Sequence, residues 1–296
     1  MLDPISSVVV VTYNSSETII DTLESIKIQN NRKFIEIVVS DDCSNDNTVE
    51  IVNDWLSANN QIFNSVVLLE NDKNLGITKN FNKAVKRAKG QFIKLLAGDD
   101  QLFSSNSIEA YVREIGSKQI IFSPVSIFGC SDSEYFSKKE IDKFKSFLTF
   151  NEKGRKGAVF YNSPLAPKIT GSFFRKQLLA DMGFFDEKYR MMEDYPFMLN
   201  VFKNHYEDIC YYDKQLFNYR LRPAFSPEFN LSKRKIEHVY YLNKFRKDTV
   251  LPLLYKEGYF KLFTLTYIRM VLSKYEIKSQ FFGKFIFNLR RVLNRN

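Results

Sequence analysis

The chain has 296 residues, 44% of them hydrophobic and 15% aromatic, with three cysteines and a net charge of +9. That length buries a real core in about one or two domains, the composition excludes disordered and linker-dominated chains, and Cys43, Cys130 and Cys210 are too scattered for a disulfide framework or a zinc site. The charge is uneven: residues 231–296 hold 15 Lys+Arg against 4 Asp+Glu, a local net of +11, which leaves residues 1–230 at −2, so no global positive field calls for a nucleic-acid partner.

Val8–Val11 is a continuous apolar run, the pattern of a strand buried on both faces. Asn14-Ser15-Ser16-Glu17 reads as a helix start capped by Asn14, with Ile19, Leu23 and Ile26 following at helical spacing. A second strand, Ile35–Val39, runs into the polar loop Asp41–Thr48, after which Val49, Val52, Trp55 and Leu56 mark a helix. Val66–Leu69 is a third strand. Asn74-Leu75-Gly76 is a turn, and Ile77, Phe81, Ala84, Val85 and Ala88 form a helix ended by Gly90. Phe92–Leu96 is a fourth strand, running into Ala97-Gly98-Asp99-Asp100. A helix over Ser107–Ile115 and one strand over Ile120–Phe128 follow, and residues 130–165 show no clear period. Thr170–Phe174 leads to a helix ending at Met182. Met191-Met192-Glu193-Asp194-Tyr195-Pro196 heads a helix with Phe197, Leu199, Val201 and Phe202 on it, and Tyr211–Leu221 reads as one late strand. Strands alternating with helices make an α/β sheet layered with helices. In such sheets ligands bind at the carboxyl ends of strands, where Thr12-Tyr13-Asn14, Asp41-Asp42 and Asp99-Asp100 fall.

Adjacent carboxylates repel, and a pair such as Asp99-Asp100 offers the hard oxygen ligands that suit Mg2+ or Mn2+; a capped turn is the alternative reading. Asp41-Asp42 fits either a turn and N-cap cluster or hydrogen bonds to a base or ribose. Glu193-Asp194 lies at a helix start, where the dipole favours carboxylates and where a general base at a pocket mouth would also sit. Arg220 and Arg222 alternate on the late strand, either clamping phosphate oxygens or facing solvent. His205 and His238 have no partners at metal-ligand spacing. The chain has no Walker A, G-x-G-x-x-G or G-x-S-x-G sequence, which counts against P-loop nucleotidases, Rossmann dehydrogenases and serine hydrolases.

In order along the chain, Val8–Asn14, Glu36–Thr48, Asn74-Leu75-Gly76 with Asn80, Gly90–Ile93 leading into Gly98-Asp99-Asp100, Thr170-Gly171-Ser172, Gly183–Asp186 and Glu193-Asp194 resemble the family 2 glycosyltransferases of the GT-A fold, of bacterial surface-polysaccharide type. The resemblance covers about residues 5–226. It implies an open mixed sheet flanked by helices, with a Rossmann-like nucleotide-sugar-binding half over 1–102 and an acceptor-binding half over 103–226. A helical, basic, aromatic-rich extension over 227–296 completes the expected organisation. The resemblance further implies a UDP-linked sugar donor and a divalent metal, Mn2+ or Mg2+. By position, Thr12, Tyr13, Asn14 and Asp42 would hold the nucleotide, with Lys79, Arg220 and Arg222 as cations on the donor. Asp99 would lie near the ribose and the metal, Asp100 would bind the metal, and Asp194 would be the general base with Glu193 beside it. Two departures touch the metal site: Ala97-Gly98-Asp99-Asp100 stands where many members read Asp-Ser-Asp-Asp, and Arg222 stands where many carry His.

Transfer from a nucleoside diphosphate sugar builds positive charge on the sugar and negative charge on the departing phosphate, which a divalent ion and nearby cations stabilise. One displacement inverts the anomeric centre; a covalent two-step route needs a second carboxylate nucleophile, and none is assigned. Processive members carry a Gln-x-x-Arg-Trp motif and membrane helices, whereas the only tryptophan here is Trp55. Single-sugar addition to a saccharide or lipid-linked saccharide is therefore expected. The tail over 231–296 reads either as a helical hairpin packed on the domain or as basic amphipathic helices docking on a membrane surface. With no eighteen-residue apolar run and no signal-peptide pattern in Met1-Leu2-Asp3-Pro4, the expected location is cytoplasmic or peripheral on the inner face of the cell membrane. The alternatives are a non-catalytic glycan- or membrane-binding protein on a degenerate transferase fold, suggested by Ala97 and Arg222, and a sugar nucleotidyltransferase. The latter is disfavoured because no Gly-rich, Lys/Arg-bearing triphosphate loop follows the first strand.

Overall fold

The structure, a computed structural model, describes residues 5–163, 166–190, 192–221 and 233–278. In chain order it opens with β1 (Ser6–Thr12), α1 (Ile19–Lys27), β2 (Ile35–Asp41), α2 (Thr48–Asn59), β3 (Ser65–Glu70), α3 (Ile77–Arg87) and β4 (Phe92–Ala97). There follow β5 (Gln101–Leu102), α4 (Ser107–Ile115), β6 (Ile120–Phe122), β7 (Val125–Phe128), α5 (Ser133–Leu148) and α6 (Glu152–Phe160). Next come β8 (Ser172–Arg175), α7 (Lys176–Asp181), α8 (Asp194–Asn204), β9 (Ile209–Tyr211) and β10 (Phe217–Arg220), then α9 (Lys233–Phe245), α10 (Leu251–Lys256) and α11 (Phe260–Lys278).

One compact unit comprises Met1–Phe150 and Pro164–Pro223. Its main sheet has seven strands in the order β3-β2-β1-β4-β8-β6-β9. β3, β2, β1 and β4 are mutually parallel, β8 is antiparallel to β4 and β6, and β6 is parallel to β9. The sheet is thus open, mixed and flanked by helices, as the α/β pattern requires. All seven residues of β1 and of β2 are buried, because α3 packs on both strands and α2 on β2 and β3. The chain proceeds from β1 outward to β3 and returns on the other side of β1 as β4. That reversal is a switch in strand order, and in open sheets ligands bind in the crevice beyond the carboxyl ends of the strands at such a point, here β1 and β4.

A second sheet runs β5-β10-β7, with β10 antiparallel to β5 and parallel to β7. It corrects two expectations. The single strand expected over Ile120–Phe128 is broken at Ser123-Pro124, where proline lacks the N–H a continuous ladder needs, and its halves join different sheets. The single strand expected over Tyr211–Leu221 is likewise divided at the polar Asp213-Lys214 into β9 and β10. Residues 130–165, which show no period, hold α5 and α6. α5 buries only Phe144 and Phe147 of its sixteen residues, too narrow a stripe to register as a helical repeat.

The other unit comprises Asn151–Ser163 and Ala224–Asn296, so α6 clusters with the C-terminal helices. Its core holds Phe160, Phe245, Val250, Leu251, Leu254 and Met270. Among the described residues no helix is long and apolar enough to cross a membrane.

A buried carboxylate, Glu36, ties the parallel strands together. It accepts hydrogen bonds from Ser7 Oγ (2.5 Å) and the Lys89 backbone N–H (2.6 Å), and Ser7 Oγ in turn accepts from Gly90 N–H (2.8 Å). The approach is so close that a Cβ on Gly90 would lie 2.5 Å from Ser7 N and 2.6 Å from Ser7 Oγ. Gly90→Ala should therefore destabilise the protein by about 1–3 kcal/mol through overpacking. Denaturant melts check this, and an unchanged midpoint would mean that β1 and the entry to β4 separate without cost.

Candidate functional site

At the end of β1, Thr12 is 3% exposed and its hydroxyl donates to Asp41 Oδ1 (2.8 Å). Asp41 also accepts from Ser44 N–H (2.7 Å) and Ser44 Oγ (2.6 Å). Asp42 is 4% exposed: Oδ1 accepts from Asn71 Nδ2 (3.0 Å) and Leu75 N–H (2.7 Å), and Oδ2 accepts from Gly76 N–H (2.8 Å). Asp42 thus holds the Asn74-Leu75-Gly76 turn against the end of β2. Tyr13 is 39% exposed. Asn14 sits at φ 52° and does not cap a helix; α1 begins at Ile19 after Thr18, and Asn14 Oδ1 instead accepts from Asn45 N–H (2.9 Å). The expected cap is displaced because this side chain staples the loop after β1 to the loop after β2. Lys79 is exposed on α3.

Gly98 keeps the ends of β1 and β4 in contact. A Cβ there would press on Thr12 Cγ2 (2.9 Å) and Ser15 Oγ (3.0 Å), so any side chain would force Thr12 and Ser15 to shift. Asp100 is 1% exposed while Asp99 is half-buried. Both are gripped from β10: Arg220 N–H donates to Asp100 Oδ1 (3.1 Å), Arg220 Nε to the Asp99 carbonyl (2.9 Å), and Arg220 Nη2 pairs with Asp21 Oδ2 (2.6 Å). The guanidinium lies over the Phe128 ring, 4.5 Å from its centroid. Arg222 lies outside the described residues. Among the described residues no group of three or more His, Cys, Asp or Glu side chains forms a metal cage. A carboxylate pair with one half-buried member does fit an ion that takes one or two protein carboxylates and completes its shell with phosphate and water.

Lys94, which the motif reading passed over, lies fully buried in the middle of β4. Its ammonium donates to the carbonyls of Thr170 (2.5 Å) and Ser172 (3.0 Å) and lies near the rings of Phe217 (4.3 Å) and Tyr111 (5.2 Å). Burial pulls its pKa down, against the opposing charge of Asp100, to about 7. The signal was present in the sequence: a lone lysine inside an apolar strand must find a buried partner.

Asp194 is the first residue of α8, exposed, and accepts from the Tyr195 N–H (2.6 Å). Beside it, Glu193 is pushed up to about 8 by burial and then by the charge of Asp194. A second unforeseen residue precedes them. Arg190 Nη2 donates to Asn74 Oδ1 (2.7 Å) and to the Asn74 carbonyl (3.1 Å), and its Cγ fills the space where a Cβ of Gly76 would be. The Thr78 hydroxyl adds a hydrogen bond to the Tyr189 carbonyl (2.7 Å). The segment leading to Glu193-Asp194 is thereby fastened to the turn that Asp42 holds. Nothing in the spacing of Arg190 marks it from sequence.

A family model described as "Glycosyl transferase family 2" matches residues 7–179, from β1 through the acidic pair to α7. The Methanocaldococcus jannaschii protein MJ1057, named an uncharacterized glycosyltransferase, is 26% identical over 258 residues, 83% of this chain and 80% of that protein. TarS of Staphylococcus aureus, a poly(ribitol-phosphate) beta-N-acetylglucosaminyltransferase, is 38% identical over 97 residues, which are 32% of this chain and 16% of TarS. The match also spans only 38% of a Mycobacterium tuberculosis relative. In structure, TarS 1–349 in complex with UDP-GlcNAc has a TM-score of 0.56 at 21% identity, covering 82% of this chain and 73% of that chain. Mannosyltransferase PcManGT from Pyrobaculum calidifontis, in complex with GDP-Man and Mn2+, has a TM-score of 0.59 at 16% identity, covering 99% of this chain and 81% of that one. These likenesses establish the GT-A-like fold.

The raised pKa of Glu193 has a thermodynamic consequence. Between its ordinary value of 4.5 and about 8 the folded chain holds a proton that the unfolded chain has lost, so this group's contribution falls as pH rises through that window. Glu193→Gln removes the dependence. Thermal melts from pH 5 to 9 should show the wild type losing stability relative to Glu193→Gln on going alkaline; parallel curves would place Glu193 in water.

Proposed function

The chain belongs to glycosyl transferase family 2, and from that premise we propose an inverting, non-processive glycosyltransferase. It moves one sugar, hexosyl or N-acetylhexosaminyl, from a UDP-linked donor to a saccharide or lipid-linked saccharide acceptor in polysaccharide biosynthesis. The observation that carries this reading is the Asp99-Asp100 pair, set at the carboxyl end of β4 beside the crevice and gripped by Arg220. TarS, which shares the fold, is a beta-N-acetylglucosaminyltransferase seen with UDP-GlcNAc, and this supports the choice of nucleotide and sugar class.

Asp100 and Asp99 would hold the divalent ion, which supplies Lewis-acid stabilisation of the charge on the departing diphosphate. Exposed Tyr13 and Asn14 face the nucleotide, while buried Thr12 and Asp42 serve it indirectly, by fixing the loops around it. Lys79 offers its ammonium to the donor's phosphates, as would Arg222. Arg220 has its Nε and Nη2 engaged by Asp99 and Asp21, so it acts on the donor by orienting the acidic pair.

The proton inventory at α8 divides the labour. Asp194 is an exposed carboxylate favoured by the helix N-terminus, and it takes the proton of the acceptor hydroxyl as that oxygen attacks the anomeric carbon. The bond from that carbon to the donor phosphate breaks on the opposite face, UDP leaves, and the configuration inverts. Glu193, whose pKa is raised by burial and by the charge of Asp194, serves as a hydrogen-bond donor beside the base rather than as a second base. Peripheral contact with the inner membrane face through 231–296 completes the reading.

Two variants test it. Asp100→Ala should abolish metal-dependent transfer. Asp194→Asn should lower kcat by about 10²–10⁴-fold while donor binding, measured by calorimetry, stays unchanged. A panel of nucleotide sugars with Mn2+ and with chelator supplies the assay. Wild-type turnover in either variant would overturn its assigned role, and binding without turnover of any donor would favour a non-catalytic binding protein.

A further inference from the structure

In the C-terminal unit the turn between α10 and α11 carries two kinds of aromatic side chain. Tyr259 points inward: its hydroxyl donates to the Lys153 carbonyl (2.8 Å) and its ring meets Phe160 edge-on at 6.0 Å. Together with buried Leu253 and Leu254 it accounts for how the hairpin packs. Tyr255 and Phe260 point outward, 64% and 60% exposed, and pack on each other edge-on at 5.7 Å. Among the described large hydrophobic side chains only Tyr135 and Tyr240 are exposed to the same degree. Phe263 extends the patch, 6.0 Å from Tyr255, and Tyr267, one heptad beyond Phe260 on α11, is 51% exposed.

Folding does not explain this patch, since the inward set already satisfies the hairpin. The turn also has open space around it: Gly258, at φ +72°, has nothing within 4 Å of where a Cβ would stand. Exposed Lys256 and Lys261 flank the aromatic pair, with exposed Glu257 between them, so the turn itself carries a net positive charge, and residues 231–296 together carry a net +11. Aromatic rings that enter the headgroup region, with lysines that reach anionic phosphates around them, are the chemistry of an interfacial membrane contact. A protein partner would need a face matching the shape of this patch, whereas an anionic bilayer requires only exposed rings with cations beside them.

The geometry points to the α10–α11 turn, with Tyr255 and Phe260 as its apolar anchors and Lys256 and Lys261 as its cationic rim, as the surface by which this protein docks on an anionic lipid bilayer. This rests on the peripheral-membrane reading above and names the surface responsible. Docking is independent of donor chemistry, so the two can fail separately.

The test is co-sedimentation of the full chain with phosphatidylcholine vesicles, with and without phosphatidylglycerol, at low and physiological salt. The wild type should pellet with the anionic vesicles, less so at high salt, and not with phosphatidylcholine alone. Tyr255→Ser/Phe260→Ser should weaken anionic binding by about tenfold or more, and Lys256→Glu/Lys261→Glu should do the same by charge repulsion. Both variants should keep the wild-type melting temperature and the wild-type rate of donor turnover with a soluble acceptor. Absence of pelleting, equal pelleting with neutral vesicles, or undiminished binding of both variants would overturn the proposal. So would light scattering that shows a dimer abolished by Tyr255→Ser/Phe260→Ser, because the patch would then be a protein interface. Pelleting by a chain that turns over no donor would leave the docking surface standing and remove the transferase reading.

Discussion

An ammonium group with no access to water sits at the middle of this fold. Lys94 occupies a strand position that its neighbours fill with Ile, Leu and Phe, and a charge there is tolerated only if acceptors are brought to it. The acceptors are the carbonyls of Thr170 and Ser172, so the start of β8 must pass beside β4 at that point. Two rings close the remaining sides, Tyr111 from α4 and Phe217 from β10. β10 is then in place for Arg220 to grip Asp99 and Asp100. A single buried lysine thus relates the parallel half, the antiparallel half and the small second sheet, and it lies within electrostatic reach of Asp100.

A second chain of contacts runs through the other side of the crevice. Asp42 holds the backbone of the 74–76 turn, the absent side chain of Gly76 admits Arg190, and Arg190 lies three residues before Glu193. Each link is short and nearly rigid: two backbone N–H groups on one carboxylate, a glycine at φ +87°, a guanidinium on Asn74. The 74–76 turn and the acids at the head of α8 are therefore positioned by one another. The proposed base is fixed by the contact of Arg190 with the 74–76 turn rather than by α8 alone.

Much of this was legible in the sequence, and unequally so. The parallel half reads directly because strands buried on both faces appear as unbroken apolar runs, Val8–Val11 and Ile35–Val39, each ending in polar residues at the ligand edge. The antiparallel half does not. β6 and β7 are separated by two residues and β9 and β10 by five, and the apolar pattern crosses both gaps; only Pro124 and Asp213-Lys214 mark where the chain changes sheets. The site divides in the same way. Acidic pairs announce themselves by composition, but Arg190 reaches the site through a glycine more than a hundred residues away, and no local pattern encodes that distance. Lys94 lies between these extremes, conspicuous as a charge in an apolar strand yet silent about its partners.

The acidic pairs also differ in what their surroundings permit. Asp41 and Asp42 are both buried, and both are occupied by protein hydrogen-bond donors. At the other two sites the members are unequal. Asp100 is buried while Asp99 is half-buried, and Glu193 is raised toward neutral pH while Asp194 is exposed at a helix N-terminus. Two like charges side by side resolve their repulsion either by recruiting donors to both or by separating in environment. The first outcome builds a loop, and the second leaves one carboxylate of each pair more exposed than its neighbour. Residues 1–230 carry a net charge of −2 and residues 231–296 a net of +11, so it is in the mildly acidic part of the sequence that these carboxylate pairs settle their repulsion locally.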